Sequence, residues 1–105
     1  MTTRKAQLAH ALEKAGEGPT DVVACFIVRN LEWHYTDDPD DVERCGFNDL
    51  PEREFDSGYG GTNGEPCIAF TPKHVFICIQ YDGAEWMEAI PRNPEDVTTI
   101  PWPGG

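Results

Sequence analysis

Four cysteines and three histidines are the residues of this 105-residue chain with the widest chemical range, and their spacing decides what they can do. Cys25, Cys45, Cys67 and Cys78 are separated by 19, 21 and 10 residues, so there is neither a C-x-x-C pair nor the spacing of a zinc finger. A zinc site that also drew on His34 or His74 would have to be assembled by the fold, and no local pattern asks for one. Nucleophilic catalysis needs a thiol or hydroxyl beside a base that a third group orients. Cys25, Cys45 and His34 supply the types without a recognisable order. His10 falls on a helical stretch and His74 in a hairpin turn, positions that suit surface histidines. The sequence therefore assigns no catalytic residue, no metal ligand and no cofactor, and the expectation is a protein that is not an enzyme.

Two further patterns invite chemistry and do not carry it. The stretch Ser57–Gly64 holds Gly58, Gly60, Gly61 and Gly64, but a phosphate-cradling loop needs a preceding apolar strand, a following helix and usually a lysine. Here Pro66 and a β pattern follow instead. Asp37-Asp38-Pro39-Asp40-Asp41 lacks the alternation and central glycine of a calcium loop.

Charge is the remaining signal. Nineteen acids against eight bases give −11 and a pI near 4.4, which excludes a direct grip on nucleic-acid phosphates. The excess is concentrated. Residues 1–36 are neutral and 66–105 carry −3. Residues 37–65 carry −8, from Asp37, Asp38, Asp40, Asp41, Glu43, Asp49, Glu52, Glu54, Asp56 and Glu65 against Arg44 and Arg53. Phe47, Leu50, Phe55 and Tyr59 are interleaved with them. Carboxylates spaced along a chain can imitate a phosphate track and occupy a Lys/Arg groove, with fast, salt-sensitive association. An acidic surface also keeps a protein soluble and monomeric, which is the competing explanation.

The elements that must position these residues are legible in part. Residues 3–15 read as an amphipathic helix, with Thr2 or Thr3 as N-cap, Leu8, Leu12 and Ala15 on one face, and Gly16 as the stop. Residues 20–35 have a helix start at Thr20-Asp21 and no Gly or Pro, and are assigned as helix. The run Val22–Val28 equally suits a buried strand, which would enlarge the sheet and put Cys25 in its core. Asp38-Pro39 opens a helical turn that Gly46 would end. Residues 37–65 are otherwise a long acidic, Gly-rich connection.

From Pro66 the pattern is β. Strands Pro66–Phe70 and Val75–Tyr81 flank Thr71-Pro72-Lys73-His74, and the implied register sets Phe70 opposite Val75, Ile68 opposite Ile77 and Cys67 opposite Cys78. Cys67 and Cys78 are then close enough for a disulfide, or for two small buried thiols in a reducing compartment. Asp82-Gly83 turns the chain into Glu85–Ile90, and the turn type decides whether Trp86 or Met87 joins the apolar face. The Pro-rich tail 92–105 runs extended, pinned by Ile100 and Trp102.

The expected fold is therefore α+β: one or two N-terminal helices packed on a three-stranded antiparallel meander, in a single small acidic domain, residues 1–105. No apolar run reaches the ~20 residues of a membrane span and no leader pattern is visible, so a cytoplasmic protein is expected. In size, acidity and absence of catalytic motifs the chain is similar to phage-encoded anti-CRISPR proteins and to bacterial immunity proteins that neutralise nuclease toxins, a likeness of profile that no motif carries. It implies a non-catalytic inhibitor that occludes a basic nucleic-acid-handling protein or nuclease. Asp37, Asp38, Asp40, Asp41 and Glu43 would form a phosphate-mimicking edge and Glu52, Glu54 and Asp56 a second, with Phe55 and Tyr59 as anchors. The alternative is an assembly module that self-associates through the meander, and a third is a cysteine- or metal-dependent enzyme. The oligomeric state is left open.

Overall fold

A computed structural model describes residues 1–29, 39–58 and 63–101. The one α-helix among the described residues, α1 (Arg4–Lys14), starts where the sequence places it. The Thr3 hydroxyl accepts from the Ala6 N–H at 3.0 Å, and Gly16, at φ +79°, ends the helix in a left-handed conformation that glycine adopts without steric cost. Leu8, Ala11 and Leu12 form its buried face.

The sheet is larger than the meander. Five antiparallel strands, β1 (Ala24–Val28), β2 (Val42–Cys45), β3 (Cys67–Phe70), β4 (His74–Tyr81) and β5 (Ala84–Pro91), lie in the order β2-β1-β3-β4-β5. The helix expected over 20–35 is corrected: Ala24–Val28 is an interior strand, and residues 30–38 lie outside the described residues. The physical reason is burial on both faces. A strand between two neighbours and beneath a helix needs side chains that are apolar on both sides, and Val22–Val28 supplies a continuous, largely β-branched run. The helical turn opened by Pro39 does form, but as a single 3-10 turn, Pro39–Asp41, and the chain then extends as β2 against β1 instead of staying helical to Gly46. The architecture is thus α+β, with one helix and five strands among the described residues in place of one or two helices on three strands.

The β3–β4 register is the one read from sequence, with Phe70 opposite Val75 and Ile68 opposite Ile77. At the second turn Tyr81 faces Ala84, and both linking residues have positive φ, Asp82 at 49° and Gly83 at 85°. That is a two-residue type I′ turn, whose twist matches that of the strands it joins. It puts Met87 in phase with Phe76 and Cys78, beneath α1, and Trp86 on the opposite face beside Ile79.

One core forms under α1. Leu8, Ala11 and Leu12 meet Cys25, Ile27, Cys67, Ala69, Phe76 and Met87, and Leu50 closes it from the β2–β3 connection. Burying each leucine contributes about 1.5–3 kcal/mol. The other face carries Phe26, Ile68, Phe70, Ile77, Trp86 and Ile90, all half-buried, with Phe26 and Phe70 edge to face at 6.0 Å. The tail differs from expectation at Ile100, which is 88% exposed and pins nothing. Trp102 lies outside the described residues.

Candidate interaction surface

The acidic stretch is divided by the fold into carboxylates that are engaged and carboxylates that are presented. Glu43, on edge strand β2, pairs with the Arg29 guanidinium just beyond β1, and Arg29 also donates to the Asp49 carbonyl at 2.8 Å. Glu52 pairs with Lys5 of α1 at 3.2 Å, and Lys5 lies over the Phe47 ring. Asp49 accepts from the Gly46 N–H and caps the 3-10 turn Phe47–Asp49. Asp56 accepts from the Gly58 N–H at 2.9 Å. Asp40, Glu43, Glu52, Glu54 and Asp56 are all exposed, and Asp41 is half-buried. Asp37, Asp38 and Tyr59 lie outside the described residues.

Phe55 requires correction. It is not a surface anchor but a core residue, 2% exposed, held between the guanidinium groups of Arg4 at 5.1 Å and Arg53 at 5.7 Å. Its backbone exchanges two hydrogen bonds with Thr2, which ties the acidic connection to the start of the chain. A large apolar ring next to two cations is as compatible with burial as with exposure, so its identity alone could not decide.

The connection is anchored by a buried ion pair that the sequence reading missed. Arg4 Nη2 donates to Glu85 Oε1 at 2.9 Å, and both side chains are almost wholly buried. The remaining polar atoms find partners nearby. Arg4 Nε donates to the Glu65 carbonyl at 2.7 Å and Nη1 to Gln7 Oε1 at 2.6 Å. Glu85 also accepts from the Gly64 and Asn63 N–H groups, and its own N–H donates to the Ser57 carbonyl at 2.8 Å. Such a pair does little net work unless every lone pair and proton is satisfied, and here no buried side-chain polar atom among the described residues lacks a partner. Gly64 is required at this point, because a Cβ there would sit 2.4 Å from Arg4 Nη2 and 2.6 Å from the Phe55 ring. The missing signal was the turn type: once Asp82-Gly83 is a two-residue turn, Glu85 alternates in phase with Met87 and must point into the core.

A second polar cluster joins the end of α1 to the β3–β4 turn. Glu17 accepts from the Thr71 hydroxyl at 2.9 Å and lies within hydrogen-bond distance of His74 Nδ1. A carboxylate-oriented imidazole is half of a nucleophilic triad. The hydroxyl beside it, however, gives its proton to Glu17 and not to the imidazole, so Thr71 is not activated as a nucleophile. The cluster fixes the turn.

The four thiols all lie on the helix-covered face, and all are free. Cys25 stands opposite Cys45, and Cys78 Sγ donates to the Cys67 carbonyl at 3.3 Å, so the neighbours foreseen in the hairpin are two thiols and not a disulfide. Burial raises all four pKa values, with Cys25 pushed up to about 11 by desolvation and by neighbouring Cys45. These are neutral packing thiols, poor as nucleophiles and as metal ligands. Among the described residues no three His, Cys, Asp or Glu groups are placed to hold a metal ion, and no helix is long and apolar enough to cross a membrane. No family model matches the chain, and neither a curated protein nor a solved structure matches it.

Proposed function

We propose that this protein is a non-catalytic binding module that occludes a basic, nucleic-acid-handling surface of a partner protein. The observation that supports this reading is how the cations are used. Arg4, Arg29 and Arg53 are ion-paired, Arg44 lies over the Phe26 ring at 5.7 Å, and Arg92 donates to the Thr71 carbonyl. Lys5 is paired as well, so four of the eight cations are in ion pairs; Arg44 and Arg92 are held by the ring and carbonyl contacts, and Lys14 and Lys73 have neither kind of contact among the described residues. Internal contacts thus absorb most of the positive charge. The exposed surplus is carboxylate: Asp49, Glu54 and Asp56 on the acidic stretch, and Asp82, Glu95 and Asp96 at the hairpin tip and tail. A surface of this kind steers basic partners and repels nucleic acid itself.

The test is association kinetics with whichever basic protein the tagged chain captures from its host lysate. Neutralising Asp40→Asn, Glu54→Gln and Asp56→Asn together slows association and flattens its dependence on salt, while leaving the fold intact because none of the three is buried. Unchanged kinetics would remove the acidic stretch from the contact.

The half-buried outer face of the sheet favours a second reading, self-assembly, in which the charge serves solubility alone. Sedimentation distinguishes them: a dimer that persists at high salt supports assembly, and a monomer at every concentration counts against it.

A further inference from the structure

The strand order leaves β5 at an edge of the sheet, and its hydrogen-bonding pattern can be followed residue by residue. The Arg92 N–H donates to the Lys73 carbonyl, so residues 73 and 92 form a hydrogen-bonded pair. Alternation along the β4–β5 register then directs Ala84, Trp86, Glu88 and Ile90 towards β4, and Glu85, Met87, Ala89 and Pro91 away from the sheet. The outward Glu85 N–H donates to the Ser57 carbonyl, as this pattern requires. Pro91 has no N–H to offer. Between these limits the outward N–H and C=O groups of Met87 and Ala89 have no backbone partner among the described residues.

These groups face a groove. Two adjoining cavities of about 330 and 340 Å³ run between β5 and α1 and share Ala11, Lys14, Met87 and Glu88. The α1 wall is apolar at Ala6 and Ala11, with His10 and Lys14 on its rim; on β5 Met87 shares that face, while Trp86 and Glu88 border the groove with their side chains on the other face of the sheet. The Trp86 indole N–H donates to Glu88 Oε1 at 2.8 Å, which fixes an aromatic ring and a carboxylate as one unit. The second oxygen, Oε2, has no partner among the described residues. An aromatic face beside an unpaired carboxylate oxygen is the chemistry that recognises a guanidinium or ammonium group.

We infer that β5 is a strand-addition site: an extended, basic segment of a partner protein joins the sheet at Met87 and Ala89, with a Lys or Arg side chain against Trp86 and Glu88. Charge selects this occupant over a second copy, since two chains of −11 repel each other while a basic strand is drawn in. The pleat also fixes its pattern. Residues opposite Met87 and Ala89 share the helix-side face, where Ala6 and Ala11 favour apolar side chains and Lys14 disfavours cations. The residue opposite Glu88 lies on the other face, where the cation is wanted. Joining antiparallel, as every other strand of this sheet does, the occupant therefore alternates apolar and basic residues, and its apolar residues, opposite Met87 and Ala89, make the main-chain bonds. The site shares a basic partner with the function proposed above but uses none of the carboxylates at 40–56, so either can fail without the other.

The test uses the full-length protein and a blocked Val-Arg-Val-Arg-Val peptide, followed by amide NMR. Binding is expected to shift residues 86–90 and the facing side of α1, and to slow hydrogen exchange at the Met87 and Ala89 amides, which exchange faster than those of Trp86 and Glu88 in the free protein. N-methylation of the valines abolishes binding and N-methylation of the arginines does not. Glu88→Gln weakens binding about tenfold, the loss of one charge-assisted hydrogen bond. A Val-Glu analogue does not bind, and Asp40→Asn with Glu54→Gln leaves the Val-Arg peptide bound. Three outcomes would overturn the proposal: equal binding of both N-methylated peptides, shifts confined to residues 40–56, or protection of the Met87 and Ala89 amides by dimerisation without peptide.

Discussion

At the scale of single residues, the Arg4–Glu85 pair determines whether the acidic connection has a defined path at all, because it binds residues 63–65 and the start of α1 to β5. Removing one partner leaves the other charged and buried, so Glu85→Ala is expected to cost about 3–5 kcal/mol in urea unfolding. The double variant Arg4→Met, Glu85→Met, which removes both charges, is expected to lose less than the sum of the two single changes. Additive losses would mean that the two groups act independently. The thiols give a pH prediction of defined sign. Each has a folded pKa above its unfolded value, so between about pH 9 and the folded values the native state holds more protons than the unfolded chain. Their contribution is complete below pH 9 and declines as pH rises through the folded pKa, which for Cys25 is about 11. Denaturant titrations at pH 8, 9 and 10 should show the decline, and Cys25 should resist alkylation at pH 8 until the protein is unfolded.

At the scale of elements, the legible parts were those in which a local signal and the tertiary contact agree. Helix α1 has a cap, a face and a stop within fifteen residues, and the β3–β4 hairpin carries its register in two facing apolar runs. Strand β1 was misread because its run, buried on both faces, lacks the alternation by which a half-buried strand is recognised, and Thr20-Asp21 resembles a helix start. In the structure those two residues close the 3-10 turn Pro19–Asp21 ahead of the strand. Strand β2 is four residues long and takes its conformation from β1, so no signal within Val42–Cys45 could have found it. The second turn was recognised without its type, and the type decides the phase of all of β5. Gly83, at φ 85°, is the residue that permits it. Gly83→Ala is expected to cost about 1–2 kcal/mol by thermal unfolding, the usual penalty for a side chain in the left-handed region. An unchanged melting temperature would show that the turn tolerates another geometry.

At the scale of the whole molecule, the signal behind the proposed function is legible in the sequence as charge and illegible as geometry. Composition located the acid between residues 37 and 65. It could not show that Glu65 is buried beneath Arg53, that Glu43 and Glu52 take cations from other elements, or that Phe55 is in the core. Nor could it show that β5 ends the sheet with Met87 and Ala89 turned outward, since that follows from strand order. The proposed function rests on the surplus that remains once these pairings are made, and a surplus of exposed carboxylate acts through long-range attraction that salt screens within about 10 Å at 0.1 M. The most direct measurement is capture from host lysate at 50 mM and 500 mM salt, followed by nucleic-acid binding of the captured protein with and without this chain. The predicted result is a basic protein, released at high salt, whose nucleic-acid binding is lost when this chain is bound. Capture of a partner that binds nucleic acid equally well in its presence would contradict the account.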